Sequence, residues 1–188
     1  DELADMMFTA THLKHPGFIR YPRGAGEGVK MKDQPQLLEV GKAEVIQSFA
    51  NNGRKKVALF PLGPLGRMAR KTAELLGSDF DCAIINPRFF KPLDEATTAF
   101  FASAADVVVT FEDHAIAGGY GSAVLEALND KGIRTPVVRI GWPDQFVEHA
   151  SSVDYLRQKH GWTSENAAQL VRNVAESARR VGAHVVYV

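Results

Sequence analysis

The chain has 188 residues, of which 45% are hydrophobic and 23% charged, a balance that excludes disordered, collagenous and disulfide-stapled classes. Lys plus Arg and Asp plus Glu are equal at 22 each, so no overall field asks for nucleic acid or an anionic membrane, and any anion site must be local. No run approaches the roughly 20 apolar residues needed to span a bilayer, the N-terminus has no secretory or transit pattern, and the single cysteine, Cys82 in the run CAII, reads as a small buried hydrophobe.

In chain order, Glu2 to Leu13 reads as an amphipathic helix with Leu3, Met6, Met7 and Leu13 close to one face. With no strand before it and no capped start, it has the pattern of a chain that opens partway through a domain. His15-Pro16-Gly17 breaks the helix, and Phe18 to Tyr21 is expected to form a short strand stopped by Pro22. The segment GAGEGVKMKDQPQ, rich in glycine and charge, then reads as a linker. Residues 1–24 are therefore expected to form one unit, 25–36 the linker and 37–188 a second domain.

Beyond the linker, runs of Val, Ile and Phe alternate with helix-period segments. Strands are expected at Ala43 to Phe49, Val57 to Pro61, Cys82 to Asn86, Val107 to Phe111 and Pro136 to Ile140. Helices are expected at Leu65 to Leu76, Leu93 to Ala102, Gly121 to Leu128, Val153 to Lys159 and Ser164 to Val181. Such alternation predicts a three-layer α/β/α fold around a mostly parallel five-stranded sheet. The first strand, joined to the second through Asn51-Asn52-Gly53, is expected to be antiparallel and at an edge.

Four segments could carry chemistry. In VVVTFEDHAIAGGYGSAVLEAL a strand runs into an acidic and histidine turn, then glycines, then a helix. Glycines there allow close backbone approach, and free amides at a helix start favour an anion. The acidic Glu112 and Asp113 and the GGYG spacing argue against a nucleotide fingerprint, so close packing of the helix against the strand or against another subunit is the stronger reading. His114, at the carboxyl end of a strand, sits where open α/β sheets place their sites, and beside carboxylates it could carry a proton or meet an interface. In IRYPRG two arginines flank Tyr21-Pro22, and residues three apart in an extended segment face opposite ways, so one of them can face a given cleft. A guanidinium suits a phosphate because its planar donors match two oxygens. NPRFFKPLD follows a strand and leads into a helix, with Arg88 and Lys91 as surface or interface charges. GWPDQFVEHA follows the last strand and could be a lid or dimer loop, with Trp142 and Phe146 as anchors.

Together, RYPRG, NPRFFKPLD, FEDHAIAGGYGSAV and GWPDQFVEHA, in this order, resemble the C-terminal third of the 1-deoxy-D-xylulose-5-phosphate synthase family, transketolase-like enzymes that use thiamine diphosphate. One departure is Ala150, where the family commonly has glycine. The resemblance implies that residues up to about Gly24 are the last helix and strand of a pyrimidine-binding domain, and that the remainder is a transketolase-type C-terminal domain. It implies condensation of pyruvate with D-glyceraldehyde 3-phosphate, with loss of carbon dioxide, for isoprenoid, thiamine and pyridoxal biosynthesis. It places Arg23, the second arginine of the motif, on the acceptor's phosphate, with Arg20 structural. Arg20, Tyr21, Glu112, His114, Asp144 and His149 are expected at an interface or behind the site. No catalytic, cofactor or metal residue is expected in this chain, because the motifs that hold thiamine diphosphate and Mg2+ are not in it. The expected partners are the remainder of the same enzyme and a second copy in a homodimer, in the bacterial cytoplasm or the plastid stroma. Two alternatives stand beside this: a β subunit or C-terminal domain of another thiamine diphosphate enzyme, and a non-catalytic module binding a nucleotide or partner at GGYG.

Overall fold

Apolar strands buried on both faces need a helical layer on each side, and the chain supplies both. The computed structural model describes residues 1–188 apart from Arg23, Ala25, Glu27, Ala150 and 178–188. Its elements run α1 (Glu2–Thr11), β1 (Glu44–Gln47), β2 (Lys55–Pro61), α2 (Gly66–Leu76), β3 (Phe80–Asn86), α3 (Glu95–Ala104), β4 (Val107–Ala115), α4 (Tyr120–Asp130), β5 (Val137–Trp142), α5 (Val153–Lys159) and α6 (Ser164–Ser177). The sheet order is β1-β3-β2-β4-β5. β2, β3, β4 and β5 are parallel, and β1 lies antiparallel on β3 at one edge.

Period-two alternation divides the core. Val57 and Leu59 of β2 with Val107, Val109 and Phe111 of β4 face α2 and α6, where Leu76, Ala167, Val171 and Trp162 meet them. Ala58 and Phe60 with Ala83, Ile85 and Val108 face α3 and α4, meeting Phe101, Tyr120, Val124 and Leu128. Cys82 lies in the first of these layers, and burial pushes its thiol up to about 12. Asp94 caps α3, its carboxylate accepting from the Thr97 amide at 3.0 Å.

Three expectations are corrected. β1 is antiparallel and at an edge, but its partner is β3 rather than β2, so Asn51-Asn52-Gly53 is not a hairpin turn. It is pinned from outside, with Asp81 of β3 accepting from the Ala50 and Asn51 amides at 2.8 and 2.7 Å. Phe18 to Tyr21 forms no strand; no sheet edge of the described residues pairs with it, and Phe18 is fully exposed. β4 runs on to Ala115, so FEDHA is strand rather than turn.

The expected helix α1 forms, and the residues it buries are Asp5 and Thr9, while Met7 is 57% and Leu3 41% exposed. Hydrogen bonding explains which face is covered: Asp5 accepts from the Gln36 amide at 2.7 Å and from Lys32 Nζ, and Thr9 Oγ1 accepts from the Leu38 amide at 2.9 Å. The Lys32 bond holds the Asp5 carboxyl below the usual range. Residues 32–38 thus strap the polar face of α1. Arg88, at a left-handed φ of 58°, pairs with Glu2 at 2.8 Å and Glu44 at 3.0 Å, joining the start of α1 to β1.

Leu59→Ala, which empties part of a fully buried site, is expected to cost about 2–5 kcal/mol in urea unfolding. Phe100→Ala, on a side chain 69% exposed, should stay within about 0.5 kcal/mol.

Candidate functional site

β2 and β4 are neighbours, but the chain leaves β2 through α2 on one face and leaves β4 through α4 on the other. The crevice beyond their carboxyl ends is therefore a topological switch point, where open α/β sheets place ligands. Leu62 closes its floor, donating from its amide to Phe111 O at 2.9 Å.

At the end of β4 the pairing with β5 shifts register between Phe111 and Ala115, which pair with Ile140 and Trp142. Glu112, Asp113 and His114 thus stand against Gly141 alone, a bulge that re-aims consecutive side chains. Glu112 turns inward and is fully buried. Its Oε1 accepts from the Gly121 amide at 3.2 Å in the first turn of α4. Its Oε2 lies 3.1 Å from His114 Nδ1, yet that nitrogen, also 3.1 Å from Ala115 O, is not aligned to donate to it, and Oε2 has no hydrogen bond among the described residues. Burial pushes the Glu112 carboxyl up to about 7, against the pull of the Gly121 and Tyr120 amides and the Arg139 charge.

Three glycines make this burial possible. A Cβ on Gly119 would lie 2.1 Å from Glu112 Oε2, one on Gly141 2.8 Å from Glu112 Cγ, and one on Gly121 2.6 Å from Thr110 Oγ1 and 2.7 Å from Arg139 Cδ. Arg139 is itself buried, and its Nη1 donates at 2.9 Å to both Ile116 O and Ser122 Oγ, fixing the β4–α4 turn. Tyr120 stands fully buried beside Glu112, and burial pushes its phenol up. The amides at the start of α4 therefore already face an internal carboxylate, which supports close packing rather than a phosphate site at GGYG.

Asp113 points the other way and collects three elements. Its Oδ1 accepts from Trp142 Nε1 at 2.7 Å, its Oδ2 lies 3.6 Å from Arg157 Nη2 of α5, and its carbonyl accepts from Arg20 Nη2 at 2.7 Å. Arg157 stacks over Trp162 at 4.3 Å, and Trp142 packs on Trp162 at 4.8 Å. His114, 21% exposed, lies 6.2 Å from the Phe90 ring.

The structure thus brings Arg20, Glu112 and His114 together. Tyr21 is exposed beside them, and Arg23 and Ala150 lie outside the described residues. Asp144 and His149 are exposed on the loop after β5, apart from this network. Of the two expected anchors of that loop, Trp142 packs inward and Phe146 is fully exposed. The loop is held instead by Glu148, which bonds Lys159 and lies 3.2 Å from His160. Lys159 holds the Glu148 carboxyl down to about 2. Arg139, Tyr120 and Arg157 were not expected here. A lone arginine inside the apolar run VVRIGW was the readable signal for Arg139.

Among the described residues no three His, Cys, Asp or Glu side chains stand together to hold a metal. The start of α4 is filled by Glu112, and no step through thiamine diphosphate is assigned to this chain's residues.

Because the Glu112 carboxyl is raised from 4.5 to about 7 on folding, the folded chain holds more protons than the unfolded one between those values. Stability should therefore fall as pH rises through that window, by at most about 1.4 kcal/mol per pH unit. Glu112→Gln should flatten this slope in thermal unfolding between pH 5 and about 7.5, and an unchanged slope would assign the titration elsewhere. Gly119→Ala should cost about 1–3 kcal/mol by urea unfolding, since Glu112 has nowhere to move.

The transketolase C-terminal domain family matches residues 42–166. The chain is 51% identical over 170 residues to a 1-deoxy-D-xylulose-5-phosphate synthase of Methylacidiphilum infernorum, covering 90% of this chain and 26% of the relative. It is 46% identical over 170 residues to that of Acidobacterium capsulatum, with the same two coverages. It thus spans about a quarter of the length of these relatives. Among solved structures, a split-gene transketolase described as an inactive β4 tetramer aligns with a TM-score of 0.65 and 28% identity, over 74% of this chain and 44% of that one. A transketolase from Pichia stipitis, 8% identical with a TM-score of 0.52 over 77% of this chain and 19% of that one, shares the fold alone. The five-stranded, mostly parallel sheet between two helical layers and the match over 42–166 agree: the chain belongs to the transketolase C-terminal domain family, and these curated relatives are 1-deoxy-D-xylulose-5-phosphate synthases.

Proposed function

We propose that this chain serves as the C-terminal segment of a 1-deoxy-D-xylulose-5-phosphate synthase, working with the remainder of that enzyme in a homodimer. The observation that carries the reading is 51% identity to such a synthase across 90% of the chain. The outward apolar face of α1 supports it, because Leu3 and Met7 on a helix whose polar face is already bonded ask for a further layer. In this reading residues 1–24 belong with that layer, residues 25–36 connect, and residues 37–188 form the C-terminal domain. Thiamine diphosphate and Mg2+ are held by residues outside this chain. The enzyme condenses pyruvate with D-glyceraldehyde 3-phosphate and releases carbon dioxide.

This chain's contribution to that reaction is to bind and orient the acceptor. Arg23, the second arginine of RYPRG, supplies a charge that does not titrate away and a planar donor pair that matches two phosphate oxygens. His114 and the loop after β5, with Asp144, Phe146 and His149 exposed, form surface against the rest of the dimer.

In the assembled enzyme, Arg23→Ala should raise KM for D-glyceraldehyde 3-phosphate by at least about tenfold and leave KM for pyruvate nearly unchanged. Equal effects on the two substrates would remove the phosphate assignment. Inactivity of the wild-type assembly toward this pair, with activity toward a ketose phosphate or a lipoyl acceptor, would move the chain to another thiamine diphosphate enzyme.

A further inference from the structure

We infer that Arg20 is a positioning residue for acceptor-phosphate recognition, acting by hooking the Arg23-bearing segment onto the end of β4. The inference rests on the proposed reading, in which Arg23 meets the acceptor's phosphate.

The segment from Phe18 to Pro22 has no regular secondary structure, and Phe18 and Tyr21 are exposed. Backbone of this kind is not held by a ladder, so its place depends on side-chain bonds. Arg20 supplies one across 93 positions of sequence, Nη2 donating to Asp113 O at 2.7 Å. A guanidinium on a carbonyl is a charge-assisted bond, and its planar geometry restricts direction as well as distance.

The acceptor end of this bond is fixed from three sides. Within β4, the preceding residue Glu112 is locked between Gly119 and Gly141. From β5, Trp142 Nε1 donates to Asp113 Oδ1 at 2.7 Å. From α5, Arg157 reaches Asp113 Oδ2 at 3.6 Å while stacked on Trp162. The carbonyl that Arg20 grips is thus part of the rigid sheet, at the switch-point crevice. Three residues of chain span at most about 10 Å, so anchoring residue 20 confines where residue 23 can reach. Reactions that depend on such placement are sensitive to displacements of about 1 Å.

The test uses the full-length assembled enzyme and two acceptors, D-glyceraldehyde 3-phosphate and unphosphorylated D-glyceraldehyde, in wild type, Arg20→Ala, Arg23→Ala and the double variant. Arg20→Ala should lower kcat/KM for the phosphorylated acceptor by about tenfold, mainly through KM, with the unphosphorylated acceptor changed by less than about twofold. Combined with Arg23→Ala it should reduce the phosphate preference no further, because its effect runs through Arg23. Arg20→Lys, which keeps one charged donor for the carbonyl, should restore part of the loss. A merely structural role would depress both acceptors alike. Equal loss on both acceptors, or full additivity with Arg23→Ala, overturns the inference. Should Arg20→Ala fail to assemble, the Arg20→Lys preference ratio decides alone, an unchanged ratio counting against the inference. If Arg23→Ala itself leaves the phosphate preference intact, it is the underlying reading that falls; if Arg23→Ala abolishes it and Arg20→Ala does not touch it, the positioning role falls alone.

Discussion

Much of the carboxyl edge depends on one buried carboxylate. Glu112 leaves solvent entirely at the end of β4, and the space it takes is space that Gly119 and Gly141 must leave empty. An isolated carboxylate in such a place would be costly, and three features offset the cost: the Gly121 amide, the positive end of α4, and the neighbouring Arg139 charge. The arginine in turn holds Ile116 O and Ser122 Oγ, so the β4–α4 turn, the first turn of α4 and the bulge in β4 are one unit. That unit gives Asp113 its outward direction, and through Asp113 the chain gathers α5, β5 and the segment around Arg20.

The N-terminal helix is attached by the opposite kind of chemistry. Where the sheet and its helices meet through apolar side chains, α1 meets its surroundings through Glu2, Asp5 and Thr9, joined to Arg88, Lys32, Gln36 and Leu38. The two partly exposed pairs, Arg88 with Glu2 and with Glu44, are individually weak in water. The bonds to Asp5 and Thr9 count for more, because both acceptors are buried and would otherwise go unsatisfied.

Much of this was legible in the sequence, and the failures share a cause. The strands from Val57, Cys82, Val107 and Pro136 were readable because continuous Val, Ile and Phe runs have few other stable homes, whereas the edge position of the first strand was read from the Asn51-Asn52-Gly53 turn, which is not a hairpin. Its partner was not readable, since pairing with β3 rather than β2 depends on where α2 returns the chain. The apolar spacing of Leu3, Met6 and Met7 was real but did not say what covers that side: periodicity shows which residues share a face, and the amides of Gln36 and Leu38 decided that this chain covers the other one. Glu112 and His114 were visible as unusual neighbours, and the GGYG glycines as a close-packing signal, while Gly141 was not read in that role. The bulge was not visible, and it is the bulge that sends Glu112 inward and Asp113 outward.

The outward face of α1 has a consequence for the chain in isolation. Leu3, Met7 and Phe18 are exposed near the N-terminal end of the described chain, and α1 is too short to persist without tertiary support. Produced alone, the polypeptide would carry this apolar surface uncovered. High salt, by loosening the partly exposed ion pairs at Arg88 while strengthening apolar contacts, would make that surface more adhesive.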